Sequence, residues 1–345
     1  MPSEHIQWFP GHMAKTRRLI TENLKNVHII IEVLDARVPV SSRNPELRKM
    51  TGDKPTILLL NKASLADPKK NKEFVKLYTD AHTVCILCDC VTGEGLNKLP
   101  EAIRTVLKDR VERYEQKGQA GRHLRAMVVG VPNVCKSTLI NRMSGGIKAK
   151  AENRPGVTRN KQWVTTKIGI DLLDMPGVLW PKFEDQTIGE NLAFTGAIRD
   201  DILDIEHLAL KLATRLRDLY PSELATRFKL TDADGWKDMT DIQLINLIGK
   251  KRGCLIPGGI VDTERVSNLL IDEFRAAKIG RMTIDKLPAP KVKTPKAEGN
   301  PPVEENSAPA EEVKTPEAET VAPEIPLDNP ETPEVPVTTV TEEDI

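Results

Sequence analysis

The sequence has no unbroken apolar run of the roughly 20 residues that a membrane-spanning helix requires, so no transmembrane segment is expected. Cysteine is scarce as well. Five in 345 residues, with no signal peptide ahead of them, argue against a disulfide-stapled scaffold and fit a reducing cytosol. Three of the five, Cys85, Cys88 and Cys90, cluster near His82, but they fall on an apolar segment with strand character rather than converging on one point, so zinc is not expected. Net charge is missing too, with 50 basic against 50 acidic side chains. That balance hides an asymmetry: residues 286–345 hold 14 acidic and 5 basic residues, leaving 45 basic and 36 acidic in residues 1–285. The body is basic. The C-terminal segment has no aromatic residue, holds 12 of the 25 prolines, and repeats Pro, Glu, Thr and Val without a period. Such a composition buries too little apolar area to offset the entropy of ordering, and disorder is expected. The acidic tail either competes with nucleic acid for the basic body or solubilises the chain.

What the chain does have is a phosphate-cradling loop, GVPNVCKS at residues 130–137, between the apolar strand RAMVVGV (125–131) and the helical start KSTLINRMS (136–144). The backbone N–H groups of such a turn, with the helix N-terminus behind them, bind phosphate oxygens: Asn133, Val134, Cys135, Lys136, Ser137 and Thr138 line it. Lys136 reaches the β- and γ-phosphates, and Ser137 holds Mg²⁺. Downstream, RPGVT places Thr158 on a Pro/Gly loop, suited to adding a second magnesium ligand when a γ-phosphate is present. IDLLDMPG (170–177) then gives a strand ending in Asp174, a carboxylate for the magnesium, with Gly177 offering an N–H to the γ-phosphate.

Two further segments come before the loop. PTILLLNKAS (55–64) is an apolar strand ending in Asn61, Lys62, Ala63 and Ser64, and TVCILCDCVTGEGL (83–96) is another, leading through Cys90 and Val91 into a Gly-rich loop. In guanine-nucleotide proteins the first kind of segment reads the base edge and the second gives a backbone N–H to the guanine oxygen. Each contact sits at the C-terminal end of its strand, so a sheet assembles the same site in either chain order.

With these motifs the chain resembles the circularly permuted GTPases of the ribosome biogenesis GTPase A family. The likeness runs over residues 6–285 and includes IQWFPGHMAK (6–15), DARVPVSSRNP (35–45), GVLWPKFED (177–185) and KRGCLIPGG (251–259). It implies an α/β P-loop GTPase domain with permuted motif order and a mostly parallel sheet over residues 1–185, a helical RNA-binding domain over 186–285, and a disordered tail over 286–345. It further implies a slow GTP hydrolase that binds the immature large ribosomal subunit and its rRNA, helps a late assembly step and is released by hydrolysis. Off the ribosome a monomer is expected.

Hydrolysis in most GTPases uses a glutamine after the switch glycine; here that position is Val178, which cannot polarise water. The family's proposed replacement maps onto His12, an imidazole able to orient water, whereas the plain reading is a histidine that begins a helix over 12–26. In related permuted GTPases an asparagine at the place of Asn133 helps hold a potassium ion; otherwise Asn133 stabilises the turn. In the segment 262–278 the residues Val266, Leu269, Leu270 and Phe274 share one helical face. Lys250, Lys251, Arg252, Arg275, Lys278 and Arg281 flank or lie on that helix. They form a solvated basic face or, as the resemblance implies, contact rRNA phosphates. Because WFPGHMAK begins at residue 8 there is little room for a transit peptide, and a bacterial cytoplasm is expected over a mitochondrion.

Three positions depart from the family pattern. Cys135 stands where glycine precedes the lysine, and a Cβ there strains the loop. Ser64 stands where aspartate takes two hydrogen bonds from guanine N1 and N2, which lowers base selectivity. Met175 replaces a small residue beside the magnesium carboxylate, and its side chain is expected to turn outwards. Two readings stay open: a working GTPase that tolerates these changes, or a degenerate nucleotide-binding member acting as a non-hydrolysing rRNA scaffold.

Overall fold

The computed structural model describes residues 11–147 and 161–288, apart from residues 81 and 167. Helix α1 (Gly11–Asn23) passes through a 3-10 turn at Leu24–Asn26 into β1 (Ile29–Asp35). Then come α2 (Pro45–Thr51), β2 (Thr56–Asn61), α3 (Pro68–Tyr78), β3 (Thr83–Leu87), α4 (Leu99–Val106) and α5 (Lys108–Gln116). The phosphate-loop half follows as β4 (Leu124–Val129), α6 (Lys136–Ser144), β5 (Gln162–Thr165) and β6 (Ile170–Asp174). The strands form one sheet in the order β3-β2-β1-β4-β6-β5, parallel throughout except for β5, which runs antiparallel to β6.

A parallel sheet is covered on both faces, and the sequence shows it: all seven residues of β1, IIIEVLD, are buried. Side chains alternate between two clusters. Ile31, Val33, Ile57, Leu59 and Ile86 join the main core, whereas Leu34, Leu58, Leu60 and Cys85 pack with Phe74 and Tyr78 on the other face. Cys88 and Cys90 belong to the main core, so the cysteine cluster of the sequence is divided between the two faces of the sheet.

Strand order fixes where a ligand can go. The chain builds outwards from β1 to β3, then jumps back to lay β4 on the free side of β1 and continues to β6. The reversal between β1 and β4 is a topological switch point, and open α/β sheets bind ligands in the crevice outside the C-terminal strand ends at that place. Asp35, Asn61 and Asp174 are the last residues of their strands and so face that crevice.

Beyond β6 the helices are α7 (Gln186–Phe194), α8 (Ile205–Leu219), α9 (Pro221–Phe228), α10 (Asp241–Arg252) and α11 (Thr263–Arg275); a short hairpin of β7 (Leu255–Ile256) and β8 (Ile260–Val261) separates the last two. Leu208, Leu212 and Leu216 of α8 and Val266, Leu270 and Phe274 of α11 are buried at helical spacing, with Leu269 half-buried beside them. The segment after α11 returns to the sheet. Met282 N–H donates to Leu65 O at 3.1 Å, Ile284 N–H to Arg37 O at 2.9 Å, and the Asp285 carboxylate takes the N–H groups of Val40 and Ser41 at 2.7 and 2.8 Å. These bonds fasten the helical half to the loops after β1 and β2, and the described residues belong to one compact unit. No helix of the described residues is long and apolar enough to cross a membrane.

Candidate nucleotide site

The phosphate loop leaves β4 at Gly130, where the backbone passes so close to β1 that an added Cβ would lie 2.4 Å from Val33 O. It re-enters helix at Lys136 through Cys135, which holds the left-handed conformation at φ 69°, ψ 34°. Left-handed backbone is easy for glycine and costs other residues about 1–2 kcal/mol. Asn133 and Lys62, both at φ 59°, complete a group of three left-handed non-glycine residues at one end of the sheet. Such concentration of backbone strain is typical of a functional site. Replacing Cys135 with glycine is expected to stabilise the fold by about 0.5–1 kcal/mol, the relieved strain exceeding glycine's extra unfolded-state entropy. Urea unfolding measures this directly, and an unchanged or lower midpoint contradicts it.

Lys136 is almost fully buried, and its ammonium donates to Gly130 O at 3.2 Å and Val131 O at 2.9 Å. Burial pushes its pKa down to about 8, with Asp174 pulling the other way. Asp174 is buried as well. Its carboxyl is raised by that burial, against the opposing pull of Lys136 and Ser137. Ser137 Oγ donates to Asp174 Oδ2 at 3.3 Å, while Asp174 Oδ1 is buried with no hydrogen-bond partner among the described residues. A buried carboxylate oxygen left over beside a serine hydroxyl fits a hydrated magnesium ion, which takes oxygen ligands and keeps several waters. Gly177 lies against this loop: an added Cβ would sit 2.8 Å from Pro132 Cα and 3.1 Å from Lys136 Nζ. Val178 is buried and donates its N–H to Gly130 O at 3.3 Å. Met175 corrects an expectation, because it is fully buried in the main core instead of turning outwards. It follows the last residue of β6 directly, and the space its side chain enters is filled by the main core that also holds Leu172 and Leu173.

The base-reading segments lock onto the phosphate loop. Asn61 Nδ2 donates to Val134 O at 2.9 Å and its Oδ1 accepts from Cys90 N at 2.8 Å. Lys62 Nζ donates to Asn133 O at 2.8 Å and lies 3.2 Å from Asp35 Oδ2. Ala63 N–H reaches Cys88 O at 3.1 Å, and Ser64 donates its hydroxyl to Asp89. Cys90 N–H and Val91 N–H, expected to face the guanine oxygen, have protein acceptors here in Asn61 and Asp89 Oδ1. Thr138 is half-buried on the first turn of α6.

The described residues do not reach every predicted site residue. Thr158, with the rest of RPGVT, lies outside them, as does the acidic tail; His12 falls in the first turn of α1, and its side chain lies outside them too. Asn133 turns its amide nitrogen to Gly196 O at 3.2 Å, so any cation contact falls to its carboxamide oxygen. The six basic residues divide. Lys250 and Lys278 are exposed. Lys251 pairs with Asp234 at 3.1 Å and Arg252 with Glu273 at 2.8 Å. Arg275 binds Asp200 and the carbonyls of Phe194 and Ala193, and Arg281 binds the carbonyls of Ala66 and Ala63. Both arginines are tied into the fold by these bonds, Arg275 half-buried and Arg281 still exposed.

Residues that sequence reasoning missed include Asp89, Arg142 and the pair Asp35–Arg37. Arg142 of α6 donates to Cys90 O at 3.1 Å and to Val91 O, holding the base loop. Asp35 is sealed under Arg37 and Lys62. Burial alone would raise its carboxyl, but the two cations outweigh it and hold the group far below the usual carboxylate range. The signal available for this pair was an Asp-Ala-Arg run at the C-terminal end of a mostly apolar strand, IIIEVLD.

A parallel sheet with a lysine-bearing phosphate loop at its switch point, a magnesium-type carboxylate on the next strand and an Asn-Lys segment supplied from upstream defines a P-loop GTPase of circularly permuted order. A family model described as "50S ribosome-binding GTPase" matches residues 125–248, beginning at β4 and so leaving the base-reading strands before it. Over 281 residues the chain is 43% identical to Ribosome biogenesis GTPase A of Bacillus pumilus, covering 81% of this chain and 98% of that protein. It is 36% identical to Mitochondrial ribosome-associated GTPase 1 of Mus musculus over 59% of this chain and 64% of that one. Its fold is similar to the solved GNP-bound structure of YlqF from T. maritima, with a TM-score of 0.53 at 24% identity, over 79% of this chain and 98% of the other. The chain belongs to the ribosome biogenesis GTPase A family.

Proposed function

We propose that this protein is a slow, ribosome-stimulated GTPase that binds the immature large ribosomal subunit, promotes a late assembly step and is released when GTP is hydrolysed. The observation that carries the reading is the trio Lys136, Ser137 and Asp174 at the switch point, the lysine and aspartate buried and the serine half-buried, with one Asp174 oxygen left without a partner among the described residues. Magnesium would be held by Ser137 and Asp174, joined by Thr158, and supplies positive charge against the β- and γ-phosphate oxygens. Lys136 neutralises the same phosphates, Gly177 offers its N–H to the γ-phosphate, and His12 orients the attacking water that Val178 cannot. Asn133, through its carboxamide oxygen, would hold a potassium ion that supplies further charge in the place of an arginine finger.

The first 185 residues act as the switch, and residues 186–285 face rRNA through exposed lysines such as Lys250 and Lys278, reading phosphates and shape. The protein works as a cytoplasmic monomer off the ribosome. A scaffold without hydrolysis is the second reading, favoured by the left-handed Cys135 and by the serine at position 64. Co-sedimentation with large-subunit precursors separates the two. A GTPase is retained by a non-hydrolysable GTP analogue and shed in GDP. Equal retention in analogue, GDP and no nucleotide supports the scaffold.

A further inference from the structure

In this family the last position of the Asn-Lys segment supplies the carboxylate that reads guanine, and here it is Ser64. We propose that Ser64 and Asp89 together replace it. Asp89 captures the serine proton, so that Ser64 Oγ meets the base only as an acceptor and admits guanine while refusing adenine. This rests on the GTP-binding reading above and concerns how that site chooses its base.

The two residues come from different strands. Ser64 lies in the 3-10 turn Ala63–Leu65 after β2, and Asp89 follows β3, the next strand over. The parallel register, pairing Leu60 with Leu87, brings the turn and the loop side by side. Ser64 Oγ is hydrogen-bonded to Asp89 Oδ2. A carboxylate has no proton to give, so the hydrogen in this bond is the serine's. Asp89 is well fixed for the task. It is 5% exposed; its other oxygen accepts from Val91 N at 2.9 Å and Thr92 N at 3.2 Å, its own N–H donates to Glu94 O at 2.9 Å, and its carbonyl accepts from Gly93 N at 2.7 Å. Ser64 is only half-buried and is the member of the pair that reaches open space. Its turn is held in place by Ala63 N–H on Cys88 O and by Arg281, which bonds the carbonyls of Ala63 and Ala66.

The selectivity follows from hydrogen-bond polarity. Guanine presents N1–H and N2–H donors on its Watson–Crick edge, and adenine presents an N1 acceptor at the corresponding place. A free serine hydroxyl serves either base, since it rotates to donate or accept. A hydroxyl clamped by a carboxylate has only lone pairs left, and the charge behind it makes them stronger acceptors. Adenine N1 then faces lone pairs with no proton between them. Asp89 is a positioning residue in this scheme, because it acts through Ser64. With the Cys90 and Val91 amides bonded to protein acceptors, the Ser64 oxygen bears more of the base discrimination.

The test uses the full chain and fluorescence titration with GDP, IDP and ADP. Wild type binds GDP at least a hundredfold tighter than ADP, and IDP, which lacks the 2-amino group, falls between. In Asp89→Asn the amide oxygen still caps the Val91 and Thr92 N–H groups, but the amide nitrogen now donates to Ser64 and frees its proton. The GDP-to-ADP preference is expected to fall at least tenfold, through weaker GDP binding with ADP unchanged or tighter. A residue that merely held the loop would weaken all three nucleotides alike. Moving the carboxylate across, in Ser64→Asp with Asp89→Ser, restores the preference that Asp89→Ser alone loses; this pair of variants decides the matter if Asp89→Asn folds poorly. A wild-type preference retained in Asp89→Asn, or a double variant no more selective than Asp89→Ser, overturns the proposal and leaves the GTPase reading standing. Wild type that binds none of the nucleotides overturns both.

Discussion

Replacing Arg37 with leucine is expected to remove about 3–5 kcal/mol of stability, the usual result of breaking one side of a buried ion pair. Arg37 and Asp35 are each 2% exposed, and the guanidinium meets the carboxylate through two bonds, Nε to Oδ1 at 2.9 Å and Nη2 to Oδ2 at 2.7 Å. A third donor, Nη1, reaches Arg275 O at 3.1 Å at the end of α11, and the guanidinium lies 5.7 Å from the centre of the Phe274 ring. Leucine leaves Asp35 buried with Lys62 as its remaining cation and leaves the Arg275 carbonyl without this donor. Urea unfolding at pH 7 measures the loss, and a loss under 1 kcal/mol contradicts the account. Adding Asp35→Asn to Arg37→Leu removes the stranded charge and recovers part of the stability, because a neutral buried group costs less than an unpaired ion. The pair also sets a pH dependence. The folded-state pKa of Asp35 lies below its unfolded value, so its contribution is present above about pH 4 and fades as the pH drops below that.

The second large effect is on ligand binding. Lys136→Met is expected to weaken GDP binding at least a hundredfold while leaving the melting temperature of the nucleotide-free protein at or above that of wild type. The phosphates lose a buried cation, but the empty site loses a charge that burial disfavours. Burial lowers Lys136 from the ordinary 10.5 to about 8. Between those values the unfolded chain holds the proton more tightly than the folded one, so wild-type stability rises with pH across that window and the methionine variant lacks the rise. Below pH 8 the lysine stays charged in the folded state and ready for phosphate. Above it the proton must be taken up on binding, so GDP affinity weakens as the pH passes 8. Calorimetry across pH 7–9 reads the affinity, and scanning fluorimetry reads the stability. A methionine variant that binds GDP as wild type does removes Lys136 from the site.

How far the sequence foretold all this depends on distance along the chain. The phosphate loop, Lys136, Ser137 and Asp174 were legible because each sits in a short strand-loop or loop-helix unit whose chemistry is local, and the strands and helix appear within one or two residues of the expected ends. The reversed order of the base-reading strands was legible for the same reason, since each contact belongs to the C-terminal end of a single strand. What could not be read was pairing between elements. Ser64 looked like a lost carboxylate, and its compensating Asp89 is visible only once the β2–β3 register places the two loops together. Arg281, exposed as its position beside a basic helix suggests, also bonds a loop 215 positions earlier in the chain, which the sequence did not show. Arg275 fills its donors with Asp200 and the carbonyls closing α7. Met175 was misjudged because its place just after β6 does not show whether the space its side chain enters is filled.

The central claim, a GTPase that answers to the ribosome, is tested most directly by steady-state GTP hydrolysis in potassium buffer, with and without large ribosomal subunits and with ATP as the control substrate. The account predicts slow turnover alone, at least tenfold stimulation by subunits, and no comparable turnover of ATP. Absence of turnover with either nucleotide, from folded protein that still binds subunits, contradicts it and leaves the scaffold.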